Sequence, residues 1–355
     1  MVAGEDDRAR AAHPRQLALL RRAHVAFLAL GMVSLVFGVA GGLARLSPLG
    51  IPATAVASHG ALMVSAFFGT VISLERAAAL GSKWAYAAPL AAGAGGLLLL
   101  AGAPAAAFAC MTFAAAILLG ASLRAFQRQR SSEMALLAAG ALAWLVGNAA
   151  VLAALPAVPW WIAFFALTVG AERLELSRYA ARPAWSRPVF HAIAAAVAVT
   201  PLEPRLLGLA LVLLAAWLFA FDIARATVRQ RGLARYVAVC LLAGYFWLAV
   251  GGVLIASSRY YDAALHAVFV GFVVSMVFGH APVIVPALLR ARFPYHWALY
   301  APLVLLHGSL AVRWVDLRAG GWGNAVAIAL FVAISAALAF TRASSVRPTP
   351  RAPVR

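Results

Sequence analysis

Eight histidines punctuate this chain of 355 residues, and five of them, His59, His191, His266, His280 and His307, stand inside long apolar runs. His13, His24 and His296 lie in or beside polar segments. An ionisable side chain in hydrocarbon is costly, so such a residue is read first as functional. His59 and His266 each lie about one turn into a run, and His307 falls one to two turns short of the end of its own. If the runs are helices crossing a bilayer, these three imidazoles share one depth in its outer half. Neutral imidazoles at one depth on facing helices suit axial ligation of a haem iron. His280 follows His266 by 14 residues, close to four turns and roughly 21 Å along a helix. That spacing points both rings to nearly one side, and it suits His280 to a second metal or haem. A lone imidazole hydrogen-bonded across helices is the competing role, and it is the one expected of His191.

Other polar residues mark the same runs. Small residues recur every four positions, as Ser65, Gly69 and Ser73 in one and Gly271, Ser275 and Gly279 in another. Such ridges let helix backbones approach closely, and they would also fit beside the flat face of a porphyrin. Acid stands next to base at two run ends, Glu75 with Arg76, and Glu172 with Arg173, Glu175 and Arg178. These are expected to form ion-pair locks between helices; the alternative is a metal or proton site built from Glu75, Glu172 and His280. Asn148 is expected to hydrogen-bond to a neighbour. Cys110 and Cys240 are isolated and make no metal pattern. The chain has no phosphate-cradling Gly loop, no HExxH and no CxxCH.

The elements that must position these residues follow from composition. The chain is 65% hydrophobic and 11% charged, with a mean hydropathy of +0.91. A soluble domain carries about 25% charged residues, so most of this surface does not face water. Runs long enough for a span of roughly 20 residues fall near 23–45, 55–75, 84–101, 104–123, 134–155 and 158–173. Six more fall near 188–202, 205–224, 234–256, 262–288, 295–312 and 322–341. The seventh is the weakest, because Pro201 and Pro204 close it early, and eleven spans is the rival count. Charge decides between them. With twelve spans and both termini inside, only Arg45, Arg205, Arg259, Arg313 and Arg318 of the 29 Lys and Arg fall outside. That is the bias the positive-inside rule requires, and dropping the seventh run would put the basic segment 225–235 outside.

The expected fold is therefore all-α, a polytopic transmembrane bundle of about twelve spans with cytoplasmic N- and C-termini, in the inner (cytoplasmic) membrane of a bacterium. Residues 1–22 form a cytoplasmic N-terminal segment with no cleavage site, 23–342 the bundle, and 343–355 a disordered Pro- and Arg-rich tail. The net charge of +18 sits at run ends rather than on one polar face, so the lipid bilayer is the partner and nucleic acid is not.

Twelve spans with outer-half histidines on the second and tenth resemble the large subunit of the heme-copper oxidases. The segments that carry the likeness are ASHGALMVSAFFGT around His59 and LHAVFVGFVVSMVFGHAP from His266 to His280. The resemblance implies a low-spin haem held by His59 and His266, with Arg313 and Arg318 of the last outer loop against its propionates. The chain is also similar in texture to the NnrS group, twelve-span bacterial proteins linked to nitric-oxide stress and to haem and copper. It departs from the oxidases at the copper site. The sixth span has no histidine, the seventh has only His191 on the other side, and the tenth has no HxH pair. Oxygen reduction at a haem–copper centre is therefore not expected.

The reading from these observations is a b-type haem membrane protein with copper as a further candidate metal. His59, His266 and His307 with Arg313 and Arg318 would surround the cofactor, with His280 as a further metal ligand. Its role would be electron transfer, redox or nitric-oxide-stress chemistry with a membrane or periplasmic electron donor. The alternative is a permease for a metal or small solute that uses the intramembrane His and Glu residues.

Overall fold

The computed structural model describes residues 3–179, 182–289 and 294–340, and these form helices, turns and short connections with no strand. The tail expected to be disordered, 343–355, lies outside the described residues. Each of the twelve apolar runs falls on a helix. These are α1 (Ala3–Ala44), α2 (His59–Leu80), α3 (Ala87–Leu100), α4 (Pro104–Arg128), α5 (Ser132–Leu152) and α6 (Val158–Leu176). They continue as α7 (Ser186–Val199), α8 (Pro204–Phe221), α9 (Leu233–Ser257), α10 (Tyr261–Leu289), α11 (Trp297–Val312) and α12 (Leu317–Phe340). Eight of them, α1 (through Arg21–Ala44), α2, α4, α5, α8, α9, α10 and α12, are long and apolar enough to cross a membrane. The chain is a helical membrane protein. The other four are shorter or more polar: α3 and α7 have 14 residues each, and α6 ends in Glu172, Arg173 and Glu175. From Ala3 the polar N-terminal segment and the first apolar run share one 42-residue helix, α1.

The centre of the bundle is α6. Every residue from Trp161 to Ala171 is buried, which is the environment a helix apolar all round requires. Phe165 touches both neighbours that matter for the site. Its ring meets Phe68 of α2 edge-on at 5.0 Å and Phe269 of α10 at 5.9 Å, so α2, α6 and α10 converge on one aromatic step. Packing between rings in this geometry adds to the burial itself.

Both α2 and α10 change helix type just inside their starts. Leu62–Phe68 and Ala267–Val274 are π-helical, three residues after His59 and directly after His266. A π turn bonds i to i+5 and rotates less per residue than an α turn. Fourteen residues therefore do not return His280 to the face of His266, and the expectation that both rings point to one side is corrected. The small-residue ridges pack helix on helix: Gly69 faces Trp144, Gly271 faces Trp247 and Gly279 faces Cys240.

Several polar groups in the apolar interior pair with one another, which matters where no water can replace a lost bond. Asn148 accepts from Ser65 Oγ (2.6 Å) and Trp161 Nε1 (3.2 Å) and donates to the Met111 carbonyl (3.2 Å). The Trp144 indole donates to the same Ser65 hydroxyl at 3.2 Å. One amide thus ties α2, α4, α5 and α6. Arg76 of α2 pairs with Glu172 of α6 at 2.7 Å, as the adjacent acids and bases led one to expect. Arg173 takes a partner the sequence did not single out. Its Nε lies 2.7 Å from Asp222 Oδ2 and its Nη2 3.2 Å from Oδ1, with side chains 4% and 0% exposed. Tyr245 of α9 donates to Asp222 Oδ2 at 3.0 Å, and the Ala224 amide donates to Oδ1 at 2.6 Å. This carboxylate accepts four bonds at the junction of α6, α8 and α9.

Removing one member of a buried pair leaves an uncompensated charge, at a cost of about 3–5 kcal/mol. Asp222→Ala is expected to lower stability by about 3 kcal/mol in detergent denaturation. Combining it with Arg173→Met should cost less than the sum of the two single changes. An additive double variant would show that the pair is not coupled.

Candidate functional site

His59 and His266 line one cavity of about 690 Å³ at the end of the bundle where α2 and α10 begin. Its walls come mainly from α1, α2, α4, α6, α10 and α12, and most of them are apolar, with Met63, Phe68, Phe108, Trp161, Phe269 and Ile328 among the larger side chains. The polar lining is sparse: the two imidazoles, Arg45, Arg313, Asp262, Ser58 and Asn324. A mostly apolar concavity of this size with a few convergent polar groups is the usual form of a cofactor or small-molecule site.

The hydrogen bonds of the two histidines settle their chemistry. His59 Nδ1 lies 2.6 Å from the Gly38 carbonyl of α1, and His266 Nδ1 lies 2.8 Å from the Asp262 carbonyl one turn earlier. A carbonyl oxygen only accepts, so in each neutral ring the proton sits on Nδ1 and the lone pair on Nε2. That is the tautomer a metal ligand needs, with the second nitrogen anchored by a carbonyl. The backbone makes room for it. Gly42 of α1 lies against the His59 ring, where an added Cβ would stand 2.7 Å from Cε1, and Gly41 packs against the Ala55 carbonyl. Gly60 faces open space in the cavity wall.

The charged groups differ between the two rings. Asp262 is the acid of the site: Oδ1 is 3.3 Å from His266 Nδ1, and Oδ2 accepts from Arg313 Nη2 at 2.7 Å. The Arg313 side chain is 8% exposed, and its Nε is buried without a partner. Arg45 folds back on the end of α1's connection, donating to the Val56 carbonyl from Nε (3.0 Å) and Nη2 (2.7 Å). Two residues in left-handed backbone, Ser258 and Tyr260, turn the chain just ahead of Asp262, a conformation that costs an L side chain energy and tends to gather near sites.

Of the residues singled out from the sequence, His59, His266 and Arg313 come together in this cavity. The others do not join them. Arg318 is exposed at the start of α12 and absent from the lining, so the pair expected of Arg313 and Arg318 is replaced by Arg313 and Arg45. His307 does not share the level expected of it, since it meets α10 at Ser275, nine residues beyond His266. Its Nε2 is 3.2 Å from Ser275 Oγ, which spends its own proton on the Cys240 carbonyl, so His307 Nε2 is the donor and its buried Nδ1 has no partner. His280 Nδ1 turns back on the Met276 carbonyl at 2.7 Å. Among the described residues no group of three or more His, Cys, Asp or Glu is placed to hold a metal ion, which includes Glu75, Glu172 and His280. Sequence reasoning missed Asp262 and Arg45. The signal for Asp262 was its position four residues before His266, one helical turn away.

The family described as a domain of unknown function (DUF8744) matches residues 23–340 of the chain. No curated protein and no solved structure matches it.

The packing around His59 gives a direct test of the site's shape. Gly42→Ala forces a methyl group onto the ring and is expected to destabilise by about 1–3 kcal/mol. Gly60→Ala, whose added methyl meets nothing, should be neutral or stabilising by up to about 1 kcal/mol. Thermal denaturation of both variants checks the contrast, and equal melting points would contradict it.

Proposed function

We propose that this chain, which belongs to the DUF8744 family over residues 23–340, binds a b-type haem in the cavity lined by His59 and His266 and serves in electron transfer. The observation that carries this reading is the pair of imidazoles in one cavity, each with Nδ1 held by a main-chain carbonyl and Nε2 left as a lone pair. The residues present fit the group. A cavity of about 690 Å³ is in the range of cofactor sites. The buried, unpartnered Nε of Arg313 is a donor in want of an acceptor, and a carboxylate of the cofactor would supply one. Arg45 supplies a second guanidinium to the same cavity.

When bound, the haem supplies a reversible one-electron carrier. The chain's own groups do the rest. His59 and His266 offer one neutral nitrogen each, and an iron held by both would keep no place for oxygen or nitric oxide. Two-histidine ligation therefore favours electron transfer over gas chemistry among the roles expected from the sequence. Phe68, Phe108, Trp161 and Phe269 give the site an apolar wall, beside which a polar contact is stronger than in water.

The same reading places the chain in a bacterial inner membrane with twelve crossings and both termini cytoplasmic. The supporting observation is the charge bias, with Arg45, Arg205, Arg259, Arg313 and Arg318 alone on the outer side. The cavity then opens toward the periplasmic end, where a membrane-bound or periplasmic donor would reach it.

Protein purified in detergent from haem-replete cells is expected to give a dithionite-reduced haem b spectrum with about one haem per chain. His59→Ala or His266→Ala should abolish it, whereas His280→Ala and His307→Ala should keep it. A folded, colourless wild-type protein would contradict the proposal.

A further inference from the structure

The two histidines are held in unlike ways, and the difference lies in Asp262. His59 Nδ1 meets only the neutral Gly38 carbonyl, at 2.6 Å. His266 Nδ1 meets the Asp262 carbonyl at 2.8 Å and also the Asp262 carboxylate, with Oδ1 at 3.3 Å. The N–H of His266 is bonded to the Asp262 carbonyl and stands close beside the Asp262 carboxylate, one helical turn away. Arg313 holds that carboxylate from the other side, with Nη2 2.7 Å from Oδ2 and 3.4 Å from His266 Nδ1. Nothing of this kind surrounds His59. A carboxylate on the far nitrogen of a ligating imidazole makes the ring a stronger electron donor. A negative charge beside the site also favours the more positively charged state of what the site holds.

We infer that Asp262, positioned by Arg313, sets the reduction potential of the cofactor by placing its negative charge beside the His266 N–H, so that His266 is the strong-donor ligand and His59 the weak one. This rests on the haem reading above. Asp262 is a positioning residue here, since it acts through His266 and does not itself hold the cofactor. The reaction concerned is the uptake of one electron from an added reductant by the ferric form, giving the ferrous form, with the His266 proton kept on Nδ1. Asp262 stabilises the ferric side of that couple. Losing its charge also leaves the positive Arg313 without its partner, and both changes act in the same direction, toward easier reduction.

The test is a redox titration of the haem-loaded wild-type protein, Asp262→Asn and Asp262→Glu, followed optically. At a fixed poise the ratio of reduced to oxidised protein is expected to rise about tenfold in Asp262→Asn, which for a one-electron couple is about 59 mV. Asp262→Glu restores the charge and should recover most of the wild-type ratio, which a purely structural role for Asp262 would not produce. Haem content measured alongside separates the two claims. A wild-type protein without haem overturns the haem reading and this inference with it. Haem-loaded proteins with the same ratio in wild type and Asp262→Asn overturn the inference alone, as does loss of haem from both variants.

Discussion

In an interior without water, a neutral imidazole must place its single N–H on an acceptor, and where it does so decides which nitrogen is left for chemistry. His59 and His266 both settle that question with a main-chain carbonyl on Nδ1. Much of this end of the molecule is arranged around these two bonds. Gly41 and Gly42 let the end of α1 close on the start of α2, so that the Gly38 carbonyl reaches His59. The carbonyl that fixes His266 belongs to Asp262, in the first turn of α10, so that ring is oriented by its own helix. Beyond the rings the walls are apolar, and the few charged groups there are held by one another or by carbonyls, apart from the Arg313 Nε.

The rest of the bundle keeps those two helix starts in register. Phe165 of the buried helix α6 bridges Phe68 and Phe269, which are themselves part of the cavity wall. Asn148 fixes α2 against α4, α5 and α6 through three hydrogen bonds, to Ser65, Trp161 and Met111, and through Ser65 to Trp144. At the other end, Arg76–Glu172 and Arg173–Asp222 lock α6 to α2 and to the end of α8. A buried ion pair of this sort adds little net stability over an apolar pair, but breaking it is costly. Its effect is to make alternative helix registers unfavourable, and the site needs a single register.

How much of this was legible in the residues follows from what a linear pattern encodes. Helix positions were readable, because apolar runs and the charges between them mark where each helix starts and stops. Counting from run ends placed His59 and His266 in one cavity, but it set His307 at the same level. Neither that level nor which way a side chain faces could be read so finely: His307 meets Ser275, nine residues beyond His266 along α10, instead of the cavity. His280 was put on the face of His266 by α-helical arithmetic, which the π turns at Ala267–Val274 invalidate. Asp262, Arg45 and Asp222 were passed over because charged residues at run ends are ordinary there, and only three-dimensional pairing distinguishes these from the others. The shortness of α7 was legible in Pro201 and Pro204, whereas α3 is shorter than its apolar run suggested.

The central claim is that one cofactor iron is held from both sides by His59 and His266. Low-temperature electron paramagnetic resonance of the oxidised, purified protein reports this directly, because six-coordinate ferric haem with two imidazoles is low-spin. The account predicts a low-spin ferric signal accounting for the bound haem, replaced by a high-spin signal or lost when either histidine is changed to alanine. A high-spin signal in the wild-type protein, or a low-spin signal that survives the loss of His59 or His266, would contradict it.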